Sequence, residues 1–402
     1  MKIKSILIMA VLLTATVSAN AQDAYLVVNS EVRLPKDSVE SAILISTLND
    51  FLIATQQSNE DNKWVLPSEK IETYILLDEF KDITKTQKDN NFFKPYLTNV
   101  MKMNDEQYLI QLSYMGIREN TSYLRASFEI TATKVDGTFL YSSPLLRNTK
   151  DWESATIGNC IFHYPKQLNR EQAESYSKYV AVFDGKLKSP VKTTEYYCCG
   201  NFHELQKLLG IDYKLDYAGY LKNSLTVVSD DKALILAGYD NTTFENFDPH
   251  DLFHSRVNMV IPADKRNNVM VCGCAYIHGG SWGISWEEIQ KTFKAKLAGD
   301  KKTDWLKLYL ENYNLGTKEK DMTVSQVINA LICRKVEKEQ GFSAVMELLA
   351  SGKAGAKDKE HFFGILEKVT GINEKNFNKE VWKLINDIKD LKEEYEKEKF
   401  AE

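Results

Sequence analysis

His250 and His254 stand four residues apart in the stretch Asp248-Pro249-His250-Asp251-Leu252-Phe253-His254. On a helix that spacing puts both imidazoles on one face, about one turn apart, where they reach a single metal ion. A carboxylate beside the first histidine is placed to act as general base on a metal-bound water. The residue there is Asp251, one methylene shorter than the glutamate such a site ordinarily carries. At that length the carboxylate retreats by about 1 Å, a distance worth on the order of a hundredfold in rate when a positioned water must be touched.

Ordinary folding demands account for several of the same residues. Asp248 followed by Pro249 is a good cap and first-turn pair for a helix. Asp251 then complements the helix dipole, and His254 reads equally as a hydrogen-bonded core residue. Glu287 and Glu288 open a helix after Ser285, where the dipole explains them too. Gly279-Gly280-Ser281-Trp282-Gly283 lacks the lysine and the spacing of a phosphate loop, and reads as a turn admitting Trp282 to the core. His278 is near enough in sequence to assist a metal site, but also reads as a surface or core residue. Cys272 and Cys274 alternate, so on an extended segment they point to opposite faces. Each then reads as a buried thiol or half of a disulfide. Cys198-Cys199 is not a metal-spaced pair. No Gly-x-Ser-x-Gly elbow, dinucleotide glycine fingerprint or Cys-x-x-Cys is present.

The elements that position these residues follow from periodicity. Tyr25–Val32 reads as a strand, then Asp37–Gln57 and Glu69–Asp82 as helices, with a third helix expected over Asn91–Met103. Glu106–Met115, Thr121–Lys134 and Thr138–Leu146 read as long strands, the last two joined at Asp136-Gly137. Asp151–Ser177 is polar and irregular, and is expected to be a linker with a short helix. Beyond it, Tyr179–Phe183, Val191–Cys198, Leu225–Val228 and Ala233–Gly238 read as strands. Helices are expected over Asn201–Leu209, Trp286–Leu297, Asp304–Tyr313, Val324–Gln340, Phe342–Ser351, Glu360–Thr370 and Asn376–Tyr395. The expected class is α+β. A domain over 23–153 is followed by a linker over 154–177, a second domain over 178–390 and a charged tail over 391–402.

Composition narrows the function. Apolar residues make up 43% of the 402 residues and charged ones 27%, enough for a sizeable core. The net charge of −5 argues against nucleic acid or an anionic membrane as the main partner. Lys2 and Lys4, the apolar run Ile6–Val17 and Ala19-Asn20-Ala21 form a secretory leader, with cleavage expected after Ala21. No cysteine follows that site, so no lipid anchor is expected, and no later stretch is long and apolar enough to span a membrane. The chain is therefore expected to be exported, to the periplasm or beyond. There its six cysteines can pair, with connectivity open.

Residues 178–390 resemble the peptidase MA-like gluzincins, a superfamily of zinc metallopeptidases. The order is edge strand Ala233–Gly238, motif helix His250–His254, then the segment Val271–Trp282. In that family the last segment reads Glu-Gly-x-Ala-x-Tyr or similar, and its glutamate is the third zinc ligand. Here it reads Cys272-Gly273-Cys274-Ala275-Tyr276, so Cys272 falls on the glutamate position. Phe342–Leu349 and Phe362–Trp382 are similar to that family's C-terminal helices. The resemblance implies zinc at His250, His254 and Cys272, with Asp251 as base. Residues Asp23–Glu153 resemble the nuclear transport factor 2-like fold, helices packed into a cone of curved sheet, through element order alone.

Two departures, Asp251 and Cys272, point first to a degenerate peptidase fold that binds protein or peptide without cleaving it. An active zinc metallopeptidase is the alternative, and a purely structural envelope protein a third reading. The cofactor is accordingly zinc or none. If Cys272 pairs with another cysteine, two histidines remain and zinc is held poorly.

Overall fold

Period-two alternation dominates residues 94–142, and in the computed structural model it becomes an antiparallel meander. The structure describes residues 25–215, 223–281, 283–296, 302–317, 322–352 and 359–387. The leader expected over 1–21, Trp282 and the charged tail expected over 391–402 lie outside the described residues. The chain is α+β and divides into two units, Met1–Ser143 with Ile211–Leu215, and Pro144–Gly210 with Asp216–Glu402.

The first unit holds β1 (Val27–Val28), α1 (Ser38–Ala54), α2 (Lys70–Phe80), β2 (Lys94–Lys102), β3 (Gln107–Arg118), β4 (Thr121–Val135) and β5 (Thr138–Ser142). The strands pair in chain order, β1 parallel to β2 and the rest antiparallel. Asp37 caps α1 by accepting from the Val39 and Glu40 amides. Leu44, Leu48, Phe51 and Leu52 of α1 and Leu76, Leu77 and Phe80 of α2 are buried. Phe80 stacks on Phe128 of β4 at 4.1 Å between ring centroids. Strand Ile211–Lys214 pairs with Ala126–Phe128 of β4, beyond the reach of β5. Lys214 Nζ, 2.6 Å from Glu79 Oε2, ties that strand to α2.

The helix expected over Asn91–Met103 is strand β2. Pro95 is a poor helix-interior residue but sits tolerably at a strand's start. A register shift between Leu97 and Asn99 moves the alternation by one residue, which hid the period of two.

The second unit opens with α3 (Leu145–Asn148), β6 (Glu153–Ile157), β7 (Cys160–Tyr164), α4 (Arg170–Leu187), β8 (Thr193–Cys198) and α5 (Phe202–Leu208). After the visiting strand, β9 (Ile211–Lys214), come β10 (Ser224–Ser229) and β11 (Lys232–Ala237). The sheet order is β10-β11-β8-β7-β6, parallel across the middle three with an antiparallel hairpin at each edge. Helices α6 (Pro249–Val260), α7 (Asn268–Gly279), α8 (Trp286–Lys296), α9 (Trp305–Leu310), α10 (Val324–Gln340), α11 (Phe342–Leu349), α12 (Lys359–Thr370) and α13 (Phe377–Asn386) follow. One buried apolar cluster runs from Cys160 and Phe162 through α4, α6 and α7 to Phe377 and Ile385.

The segment 154–177 is therefore no linker. It forms β6, β7 and the first part of α4, and the second unit begins at Pro144 rather than Lys178. Cys160, Phe162 and Tyr164 alternate inward, while intervening and neighbouring polar residues made the stretch read as irregular. Tyr179–Phe183, expected as a strand, lies within α4. Tyr176, Tyr179, Val180, Phe183 and Leu187 are buried at helical spacing, and a five-residue window is too short to tell the two periods apart.

Candidate metal centre

Helix α6 is started by Asp248, whose carboxylate accepts the His250 amide at 2.8 Å, with Pro249 at the first position. Leu252, Phe253, Arg256 and Val257 face the core. Arg256 is fully buried. Its guanidinium donates to both Asp184 oxygens of α4 at 2.8 and 2.6 Å, and to Thr194 Oγ1 of β8 at 3.0 Å. The helix is thus fixed in rotation, and the remaining face carries His250 and His254, each half-buried.

The two imidazoles converge, with 3.2 Å between their Nε2 atoms. Cys272 of α7 brings its Sγ to 3.8 Å from His250 Nε2. One ligand atom from each of the three residues lies within 4.8 Å of the others. Ideal tetrahedral zinc bonds of 2.0–2.1 Å to nitrogen and about 2.3 Å to sulfur imply edges of about 3.3 Å for N···N and about 3.6 Å for N···S. Two of the three edges are therefore close to those of a loaded site.

Segment Val271–Gly279 is helical, not extended. Cys272 and Cys274 still part company, because two residues turn a helix by about 200°. Cys272 stands as a free thiol facing His250, while Cys274 is buried away from it.

Two glycines shape the other side of the site. The His250 Nδ1–H donates to the Gly280 carbonyl at 2.7 Å, which leaves the Nε2 lone pair for a metal. Gly279 permits that approach, since a Cβ there would fall 2.3 Å from the His250 nitrogen. Gly280 has φ 68° and ψ −140°, backbone that only glycine adopts readily. The sequence reading assigned these glycines to a turn for Trp282 and missed their service to His250. Arg256 and Asp184 were missed as well. Their signal was present, since each falls in the apolar stripe of its helix.

Burial, then the neighbouring His250 and Arg266, pushes His254 down to about 4, so its ring is neutral at physiological pH. Burial first, and the Asp251 carboxylate second, raise the Cys272 thiol to about 11. Asp251 keeps an exposed edge, yet the protein around it and then Asp248 lift its carboxyl above the ordinary range, His250 acting the other way. A metal held there would have to displace the Cys272 proton, so its binding would weaken as pH falls.

The other candidates stay outside this group. His278 packs on Phe183 and Phe253, at 4.8 and 5.0 Å between ring centroids. Ser285 Oγ accepts the Glu288 amide at 3.2 Å, so Glu287 and Glu288 belong to a helix start. Cys198 and Cys199 are buried at the end of β8, and burial pushes the Cys198 thiol up to about 12. Comparison with protein-family models, with curated proteins and with solved structures returned no match.

Proposed function

We propose that the second unit is a gluzincin-like domain that binds zinc through His250, His254 and Cys272 and uses it to hold a protein or peptide. The observation that carries this reading is the convergence of three ligand atoms, with the His250 tautomer set by the Gly280 carbonyl. Two imidazoles and one thiolate suit zinc and leave a fourth tetrahedral position. A peptide carbonyl or carboxylate is a fitting occupant for that position. The leader over 1–21 supports an exported location for this work.

Metal analysis of the full chain tests the reading. One equivalent of zinc is expected, with cobalt substitution giving a thiolate-to-cobalt absorption band lost in Cys272→Ser. Absence of both zinc and the cobalt band in folded protein overturns it. One equivalent of copper in place of zinc assigns the site to copper and overturns the zinc reading.

Asp251 favours a second reading, hydrolysis. Its raised carboxyl lies close enough to influence Cys272, where a base for metal-bound water belongs. Chelator-sensitive cleavage of a peptide library, abolished by Asp251→Asn with zinc still bound, establishes this reading. Zinc without cleavage leaves the binding function.

A further inference from the structure

Arg266 stands in the turn between the two helices that carry the metal group, and its guanidinium is held by both. It donates from Nη1 to Asn258 Oδ1 of α6, and from Nε to Asn268 Oδ1 of α7 at 3.2 Å. Asn258 is four residues beyond His254, and Asn268 is four residues before Cys272. Each asparagine therefore lies about 6 Å, one turn, along its helix from a ligand and on the ligand's face. The guanidinium spans the α6–α7 seam one turn past the metal group. The turn that carries it is fixed. Asn267 is 1% exposed, its side chain donating to Ser351 Oγ at 2.9 Å and accepting the Met270 amide at 3.1 Å. The Lys265 carbonyl accepts the Gly352 amide at 2.9 Å.

Arg266 is half-buried and meets only neutral amide oxygens. Among the described residues, three of its five N–H groups find no acceptor and no carboxylate pairs with it. A guanidinium positioned by neutral partners keeps its full charge and its planar fork for an anion. We propose that Arg266 anchors the C-terminal carboxylate of a peptide whose preceding carbonyl takes the fourth position at the metal. This rests on the metal reading above and adds the ligand class, a free peptide C-terminus. One residue of extended chain spans about 3.3–3.6 Å, with a metal–oxygen bond of about 2.0–2.2 Å at one end and a charge-assisted hydrogen bond of about 2.7–2.9 Å at the other. That reach covers the single turn between the ligands and the guanidinium. Room for one residue makes the chain's own end the carboxylate nearest the metal-held carbonyl. An acidic side chain supplies the same group, and the test separates the two.

The test uses the full chain loaded with cobalt and three probes that reach the metal through sulfur. They are N-(mercaptoacetyl)glycine, its carboxamide, and N-(mercaptoacetyl)aspartic acid α-amide, whose one carboxylate is on the side chain. Growth of the thiolate-to-cobalt band reads binding. The glycine acid is expected to bind about tenfold or more tighter than either amide, against the repulsion of a chain of net charge −5. In Arg266→Gln that advantage is expected to vanish while cobalt stoichiometry and helical circular dichroism hold. Arg266→Lys, which keeps the charge without the fork, gives the same comparison with a smaller loss where Arg266→Gln fails to fold. Equal binding of acid and carboxamide by the cobalt-loaded parent, no binding of any probe, or an unchanged preference in the variants overturns the inference and leaves the metal site standing. Tightest binding of the aspartyl probe assigns Arg266 to acidic side chains and overturns it likewise. A parent that takes up no cobalt overturns the metal reading together with this one.

Discussion

Arg256 grips both carboxylate oxygens of Asp184, at 2.8 and 2.6 Å, from a position with no solvent exposure. Burial lifts the Asp184 carboxyl above its ordinary range while the guanidinium pulls it down. Such a pair adds little net stability over a well-packed apolar replacement, but breaking it strands a buried charge. The bond links α6 to α4, and α6 carries both histidines. Arg256→Ala is therefore expected to lower unfolding stability by about 3–5 kcal/mol in urea titrations. Adding Asp184→Ala is expected to restore part of that loss, because the orphaned carboxylate goes with it. A single variant within about 1 kcal/mol of the parent would sink the claim.

Gly279→Ala addresses the site without replacing His250, His254 or Cys272. The added methyl meets the backbone and Cβ of His250, so the ends of α6 and α7 must separate. Strain of about 1–3 kcal/mol is expected from overpacking of this kind. His250 loses its bond to Gly280, and cobalt affinity is expected to fall tenfold or more while helical circular dichroism persists. Unchanged cobalt affinity means that the Gly280 carbonyl does not set the imidazole.

How much of this was legible beforehand depends on range. The His250–His254 face was readable because i, i+4 geometry is local, and so was the Asp248-Pro249 start of α6. Cys272 entered through a resemblance, since nothing local ties α7 to α6. Its approach to His250 depends on two helices meeting at Gly279, a tertiary fact. Arg256 was readable in principle: a basic residue in the stripe Leu252, Phe253, Val257 requires a buried acid somewhere. In the first unit, α1, α2 and the three strands of the meander were readable by periodicity. β2 was not, because its register shift displaced the alternation. β9 pairs with β4 from far along the chain, and no local pattern announces such a partner.

His254 fixes a pH dependence for the metal-free protein. Its folded value of about 4 lies below the ordinary 6.5, so the unfolded chain binds the proton first as pH falls. The contribution is fully present above about 6.5, declines below it and is gone below about 4. The window is worth about 3 kcal/mol at 1.36 kcal/mol per unit. Urea midpoints between pH 7 and pH 4, with chelator present, are expected to fall more steeply for the parent than for His254→Gln. Parallel profiles show that His254 titrates normally. Saturating zinc is expected to steepen the loss, because protons compete with the metal at both histidines and at Cys272.

Asp251 allows the sharpest choice between holding and cutting. Its carboxylate raises the Cys272 thiol, so Asp251→Asn is expected to lower that thiol and speed iodoacetamide modification of Cys272 at pH 8.5 by a few-fold in the metal-free protein. The same change leaves the three ligands in place, and zinc stoichiometry is expected to hold. Asp251→Glu restores the methylene that a base acting on metal-bound water ordinarily has. A gain of about 1 Å in reach is worth on the order of a hundredfold when geometry limits the rate. Cleavage of a quenched fluorescent peptide is therefore expected to be weak or absent in the parent, absent in Asp251→Asn and gained in Asp251→Glu at equal zinc occupancy. If Asp251→Glu binds zinc and gains nothing, the carboxylate is not the deficient part of the site. The cause then moves to Cys272, whose thiolate donates more charge to the metal than a carboxylate would and leaves bound water less acidic.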